Sequence, residues 1–219
     1  MDETKTEEKG YGSSYSHEKE TAKPGYYSVI LNKHGIKAEL TASEHGAVHR
    51  YTFPAAAKDN AVIVIDPSHA LGNGFSKGVN IQIDAQKNEV SGWGINAGDF
   101  VGEGRAFTVY FSAAFDAPFK ESGVWEKGKL FPGEKAYEKK ENKLRAGAYL
   151  KFAPENNAQS VEARVGLSFI SVEQAKLNRD TELTNKPFEQ IRKQAEEAWE
   201  SVVKRIDVEG GTEKQKTIF

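Results

Sequence analysis

The chain has 219 residues, long enough for one large β domain or two small ones. Its 32 acidic and 30 basic residues leave a net charge of −2, which offers neither the basic field that nucleic acid needs nor a polybasic membrane anchor. No apolar run approaches the roughly 18 residues that span a bilayer, and the lack of cysteine removes disulfides, thiolate nucleophiles and thiolate metal sites without assigning a compartment.

Residues 1–14 are charged and small, and are expected to form a mobile tail that orders only towards Tyr11 and Tyr15. They carry no signal-peptide core, which fits a cytosolic protein or a replaced start. Ser16-His17-Glu18-Lys19-Glu20 is a polar cluster, and Pro24-Gly25 signals a turn. Tyr26 to Leu31 is aromatic and β-branched and reads as the first strand. In the stretch Gly35 to Leu71, Ile36, Ala38, Leu40 and Ala42 alternate with polar residues, the period of a half-buried strand. A second strand, His49 to Phe53, is stopped by Pro54. Val62 to Ile65 is apolar on both parities, as a strand covered on both faces would be. The short turns between these three predict an antiparallel meander. Val79 to Ile83 and the glycine-interrupted Val90 to Ile95 follow as strands. Residues 96–105 read as a loop. Phe107 to Phe115 is the most regular alternation in the chain, which places Phe107, Val109 and Phe111 in the core. Phe119 to Trp125 is a shorter strand, residues 126–144 read as charged surface, and Ala146 to Phe152 is again a strand. Pro154 to Asn157 forms a turn, and Val161 to Phe169 is the last long strand.

The pattern changes at Ser171. Ser171-Val172-Glu173-Gln174 is a capping box and predicts a helix to about Asp180. Asn185 is a candidate cap for a second helix with Pro187 in its first turn. Phe188, Ile191, Ala195, Ala198, Trp199, Val202 and Ile206 then recur every three or four residues, one apolar stripe over about five turns. Thr212-Glu213-Lys214-Gln215 is a second capping box, followed by Ile218 and Phe219. So short a helix barely offsets its nucleation cost, so the chain is expected to stop inside a helix. The residues thus predict a mainly β fold, a large antiparallel β-sandwich over 15–171, followed by C-terminal helices over 172–219.

Chemistry is sparse. Of the five histidines, His45 and His49 are four apart, but Gly46 puts a turn between them, so joint metal binding is not expected. His34 reads as a turn residue and His49 as a satisfied strand histidine. His17 and Glu18 are the candidate contacts to a ligand or an interface, because a histidine beside two acids in a loop suits either. Asp66, Asp99, Glu103 and Asp116 sit at strand ends or loops, where carboxylates are most often turn formers. A glycosidase needs two of them facing each other across a cleft. Trp93 and Trp125 could stack on a sugar ring, although core packing is the commoner role. No nucleophile elbow or dinucleotide fingerprint is present.

The runs SHEKETAKPGYYSVIL, GIKAELTASEHGAVHRYTFP and AVIVIDPSHAL, followed by ARVGLSFISVEQAKLN and IDVEGGTEKQKTIF, resemble the N-terminal domain of the α-mannosidases of glycoside hydrolase family 92 and the passage out of it, over about residues 15–219. The resemblance implies a supersandwich-like β domain and a helical linker to an (α/α)6 catalytic domain. It implies calcium-dependent exo-hydrolysis of mannose-containing glycans with inversion, by a periplasmic, cell-surface or secreted parent protein without a membrane span. The general acid and base and most calcium ligands are expected in the catalytic domain, beyond Phe219, and the first sheet segments before residue 1. No catalytic residue and no metal ligand is therefore assigned on this chain, which is expected to be inactive alone, with calcium needed only in the full enzyme. His17 and Glu18 are expected near the substrate pocket or the domain interface. The alternative is a stand-alone carbohydrate- or protein-binding sandwich.

Overall fold

Alternate residues of a strand share a face. Val79, Ile81 and Ile83 on one strand and Phe111, Ala113 and Phe115 on another therefore turn the same way, and all six enter one buried cluster. A computed structural model describes residues 4–57, 61–98, 101–102, 105–153, 160–206 and 209–218. Its larger sheet has nine strands in the order β1 (Glu20–Lys23), β2 (Tyr26–Leu31), β3 (Ile36–Ala42), β4 (Gly46–Thr52), β13 (Ser160–Ser168), β8 (Ala106–Phe115), β7 (Glu89–Ala97), β6 (Phe75–Asp84) and β11 (Ala136–Lys139). The smaller sheet has four, β10 (Lys129–Pro132), β9 (Phe119–Glu126), β12 (Ala146–Phe152) and β5 (Ala61–Ile65). Neighbours pair antiparallel throughout. The fold is the expected β-sandwich.

The core lies between the sheets. Phe115, Phe119 and Phe152 meet there with ring centroids 5.5–5.6 Å apart, beside Leu150, Val161 and Ile81. Each such side chain contributes about 1.5–3 kcal/mol by leaving water. Trp125 is 1% exposed and its indole N–H donates to the Ala148 carbonyl oxygen at 3.2 Å. It is buried on the face of the smaller sheet opposite Val124 and is not available to a sugar.

Four expectations are corrected. Val62 to Ile65 does not complete a meander with β3 and β4: β5 crosses to the smaller sheet and pairs with β12. There Ala61 enters the core and Ile63 and Ile65 pack against it. The crossing needs the small-residue connection after Pro54 rather than a tight hairpin. Within residues 126–144, β10 and β11 form strands where only surface was expected. Both are short and lie at sheet edges, where lysine and glutamate suit one exposed side. Phe111 is core, but Phe107 is 41% exposed, because the smaller sheet does not reach that end of β8. Asn185 takes a left-handed φ of 60° and does not cap; Pro187 is the N-cap of the second long helix. The turn predicted for Pro154 to Asn157 lies outside the described residues.

The outer face of the larger sheet carries the helices. Ser171 Oγ caps α2 (Val172–Glu182) by accepting the Gln174 N–H at 3.1 Å. The Gln174 side chain goes to Asn178 instead, so only half of the box forms. Phe188 and Ile191 of α3 (Phe188–Val203) bury against Tyr26, Val48 and Leu183, a second core on this outer face. Arg50 sits 4.0 Å from the Phe188 ring centroid and Arg192 3.8 Å from that of Tyr26, and Arg50 also pairs with Glu162 at 2.8 Å. Such stacking adds about 0.5–2 kcal/mol per pair. Near the other terminus a short helix, α1 (Glu8–Tyr11), ends at Tyr11, whose hydroxyl donates to Asp66 Oδ2 at 3.3 Å. The last helix, α4 (Glu213–Ile218), opens on a complete box, Gln215 N–H to Thr212 Oγ1 and Thr212 N–H to Gln215 Oε1.

Candidate functional site

The outer face is only partly covered. α2 is held on it by Arg179, 3% exposed. Its guanidinium donates to Ser112 Oγ at 3.0 Å, Glu89 Oε1 at 2.9 Å and Asp180 Oδ1 at 2.8 Å. Between the sheet and the first turns of this helix opens a cleft of about 580 Å3, lined by Gln82, Asp84, Ser91 and Ser112 of the sheet and by Val172 and Lys176 of α2. Gln82, Ser91 and Ser112 stand opposite one another across β6, β7 and β8. Two residues along each strand the next row is Asn80, Trp93 and Tyr110, with Glu138 of β11 opposite Asn80. Their neighbours Val79, Ile81, Val90 and Phe111 point into the core, so this row faces outward. Asn80 Nδ2 donates to Glu138 Oε2 at 2.9 Å, and the Lys140 ammonium stands 5.6 Å from the Trp93 ring centroid. Most cations near the cleft are matched: Lys176 and Arg179 share Glu89, and Lys87 pairs with Asp84 at 3.0 Å, while Lys135, exposed at the rim, has no ion pair among the described residues. No sequence motif announces the cleft, because its lining comes from separate strands and a helix.

The predicted site residues lie elsewhere. His17 and Glu18 form a single 3-10 turn, His17–Lys19, capped by Ser16. His17 Nδ1 is 2.6 Å from Glu20 Oε2, and the Tyr15 and His17 rings meet edge-on at 5.5 Å. The Glu18 side chain is exposed. Asp66 receives Arg145 at 2.6 Å and Ser68 Oγ at 2.5 Å, and Asp116 receives the Glu162 N–H at 2.8 Å. Burial, helped by the Glu162 carboxylate, raises the Asp116 carboxyl above its ordinary range. Asp99 and Glu103 lie outside the described residues. His45 and His49 part company. His49 Nδ1 is 2.8 Å from the Tyr51 hydroxyl, and burial holds its pKa down. Among the described residues no three His, Asp or Glu side chains converge as a cation requires, so these residues do not fit calcium.

His45 ties the β3–β4 turn to the end of α2. Its ring Nδ1 is 2.7 Å from Glu182 Oε1 and its N–H donates to Oε2 at 2.9 Å. The carboxylate raises the His45 pKa above 6.5. Burial pulls Glu182 upward, yet its hydrogen bonds, those from His45 among them, leave it below 4.5. The raised histidine stabilises the fold below its unfolded pKa and loses that contribution as pH rises through the folded value. The depressed glutamate stabilises above its unfolded pKa and loses it as pH falls through the folded value. The tie is therefore fully present only between about pH 4.5 and 6.5. Amide exchange at His45 is expected to be slowest near the middle of that window and faster at both pH 3 and pH 9, after correction for intrinsic exchange. His45→Ala should remove the acceleration at pH 9 and keep that at pH 3, because the backbone N–H of residue 45 still reaches Glu182.

The chain belongs to glycosyl hydrolase family 92: the model of that family's N-terminal domain matches residues 1–168, and the model of its catalytic domain matches residues 174–219. An uncharacterized secreted glycosidase of Arthroderma benhamiae is 31% identical in an alignment of 202 residues that covers 87% of this chain and 26% of the relative. A family GH92 inverting mannosidase from Bacteroides thetaiotaomicron superposes with a TM-score of 0.81 at 30% identity, covering 96% of this chain and 26% of that one. A GH92 alpha-mannosidase from the same species, in complex with mannoimidazole, gives 0.82 at 26% identity over 96% of this chain and 28% of that one. The chain thus spans about a quarter of the length of these relatives. No described helix is long and apolar enough to cross a membrane.

Proposed function

We propose that this chain is the N-terminal sandwich, residues 15–171, and the helical linker, residues 172–219, of a calcium-dependent inverting exo-α-mannosidase acting on mannose-containing glycans outside the cytoplasm. The (α/α)6 domain supplies the acid, the base and the calcium ligands. The sandwich supplies a rigid wall against it. One observation carries this reading. Within the part of the chain that matches the catalytic-domain model, α3 changes partner along its length. Phe188, Ile191 and Ala195 are at most 9% exposed against the sheet, whereas Trp199, Val202, Val203 and Ile206 on the next turns are 51–67% exposed. An apolar stripe that outlasts its own sheet suits burial against further helices. The secreted relative supports the location, and the inverting relative supports the stereochemistry.

His17 and Glu18 belong to this reading as residues of the pocket or the domain interface. Both stand on an exposed turn beside Tyr15, with only Glu20 held by a short contact. Replacing both by alanine in the longer enzyme is expected to lower kcat/KM for an α-mannoside about tenfold, the loss of one charged contact and one hydrogen bond. Unchanged kcat and KM in that variant would remove the two residues from the reading.

A further inference from the structure

We infer that the cleft under α2 and the aromatic row beside it form a binding site for a neutral pyranose unit of a glycan. Three features point to that chemistry. The first is shape: about 580 Å3 lies within the range of about 300–1,000 Å3 typical of small-molecule sites. The second is the lining. Gln82 and Ser91 offer an amide and a hydroxyl that donate and accept, over a floor where Ser112 accepts from Arg179. One row further, about 7 Å along the strands, Trp93 and Tyr110 stand side by side on the same outward face. Pyranose rings present C–H groups on their faces and hydroxyls at their edges, so a polar row beside an aromatic row matches both. The third is charge. Lys87, Lys176 and Arg179 are each paired with a carboxylate, which leaves exposed Lys135 at the rim as the one unpaired lining cation among the described residues, too little to make the cleft an anion site.

The same features argue against a structural role for Trp93. Trp125 is sealed from solvent on the smaller sheet, whereas Trp93 is only half-buried. Its described ring neighbour is the ammonium of Lys140, an exposed side chain free to swing aside or to serve as a donor to a sugar hydroxyl. Asn80 and Glu138, bonded to each other, border the ring on the far side with further acceptor capacity. A glycan would thus lie across β6, β7 and β8, one ring in the cleft and the next over Trp93.

The site stands on geometry. Only the identity of the sugar rests on the proposed function. The test is titration of the chain with α-mannobiose, and separately with cellobiose, by calorimetry and saturation-transfer NMR. Saturable binding of mannobiose in the millimolar range is expected. Trp93→Ala should weaken it about tenfold and Gln82→Ala about threefold, while Trp199→Ala leaves it unchanged. Gln82 is exposed, so its truncation decides the matter even where the tryptophan variant does not fold. Cellobiose binding with the same sensitivity and no response to mannobiose would keep the site and overturn the mannose reading. No saturation with either sugar to about 50 mM, or binding indifferent to both Trp93 and Gln82, would overturn the site.

Discussion

Arg179→Ala is expected to lower the unfolding free energy by about 3 kcal/mol, the cost of breaking a buried ion pair on one side. The side chain is 4% exposed and binds Glu89, Asp180 and Ser112 at once. Removal leaves the Ser112 hydroxyl buried and Glu89 dependent on Lys176 alone. It also opens a void between α2 and the sheet. Glu89 keeps about a fifth of its side chain in water, which holds the loss at the lower end of the usual range. Thermal unfolding should shift down by about 6–12 °C for a domain of this size. Pairing Arg179→Met with Glu89→Gln, which removes both charges and keeps the volume, should recover more than half of the loss. A drop below about 1 kcal/mol in urea titration would mean that α2 is not held by this network.

Gly166→Ala should cost as much for a different reason. A Cβ at Gly166 would lie 2.1 Å from the Ala175 carbonyl oxygen and 2.8 Å from the Arg179 backbone nitrogen. Both are backbone atoms of α2, so relief requires the helix to rise off β13 as a body. Overpacking of this kind costs about 3 kcal/mol at the upper end of its range. Lost protection of α2 amides in hydrogen exchange, with β6 to β8 unchanged, would mark the helix as the element that moves. Gly133→Ala serves as the comparison. Its φ of 79° strains any side chain, but nothing lies within 4 Å, so only about 1–2 kcal/mol should be lost.

These two contacts show where reading residues in order succeeds and where it stops. The alternation of Val79 to Ile83 and of Phe111 to Phe115 is a local consequence of the pleat, and it places both strands and their buried faces. The stripe from Phe188 to Ala195 likewise places a helix on the sheet. Gly166 and Arg179 are invisible to such patterns. A glycine inside a strand and an arginine inside a helix each have many ordinary explanations, and only their meeting across 13 positions gives them a role. The path of β5 was hidden for the same reason. Its apolarity on both faces says that it is covered, not which sheet covers it. Lysine and glutamate in β10 and β11 mask their strands because an edge strand tolerates charge on its open side.

The candidate site divides similarly. His17 and Glu18 could be singled out by their chemistry, and the structure places them on an exposed turn where His17 meets Glu20 and Tyr15. The cleft could not be singled out, since Gln82, Ser91, Ser112 and Lys176 are ordinary residues until antiparallel register and helix docking align them. Trp93 and Trp125 looked equivalent in sequence. Strand parity turns both away from the core between the sheets, and burial decides between them: Trp125, beside Gly147 on the smaller sheet, is 1% exposed, whereas Trp93 on the larger sheet is half-buried.

The central claim is that this sandwich and its helices are a wall for a catalytic domain rather than an enzyme in themselves. The most direct measurement is hydrolysis of an aryl α-mannoside with calcium present, by this chain and by a longer polypeptide that carries the whole family 92 catalytic domain, at equal concentration. The account predicts turnover by the longer protein, with inverted product, and none by this chain. Turnover by this chain that survives further purification and is lost with Asp66→Asn or Asp116→Asn would contradict it.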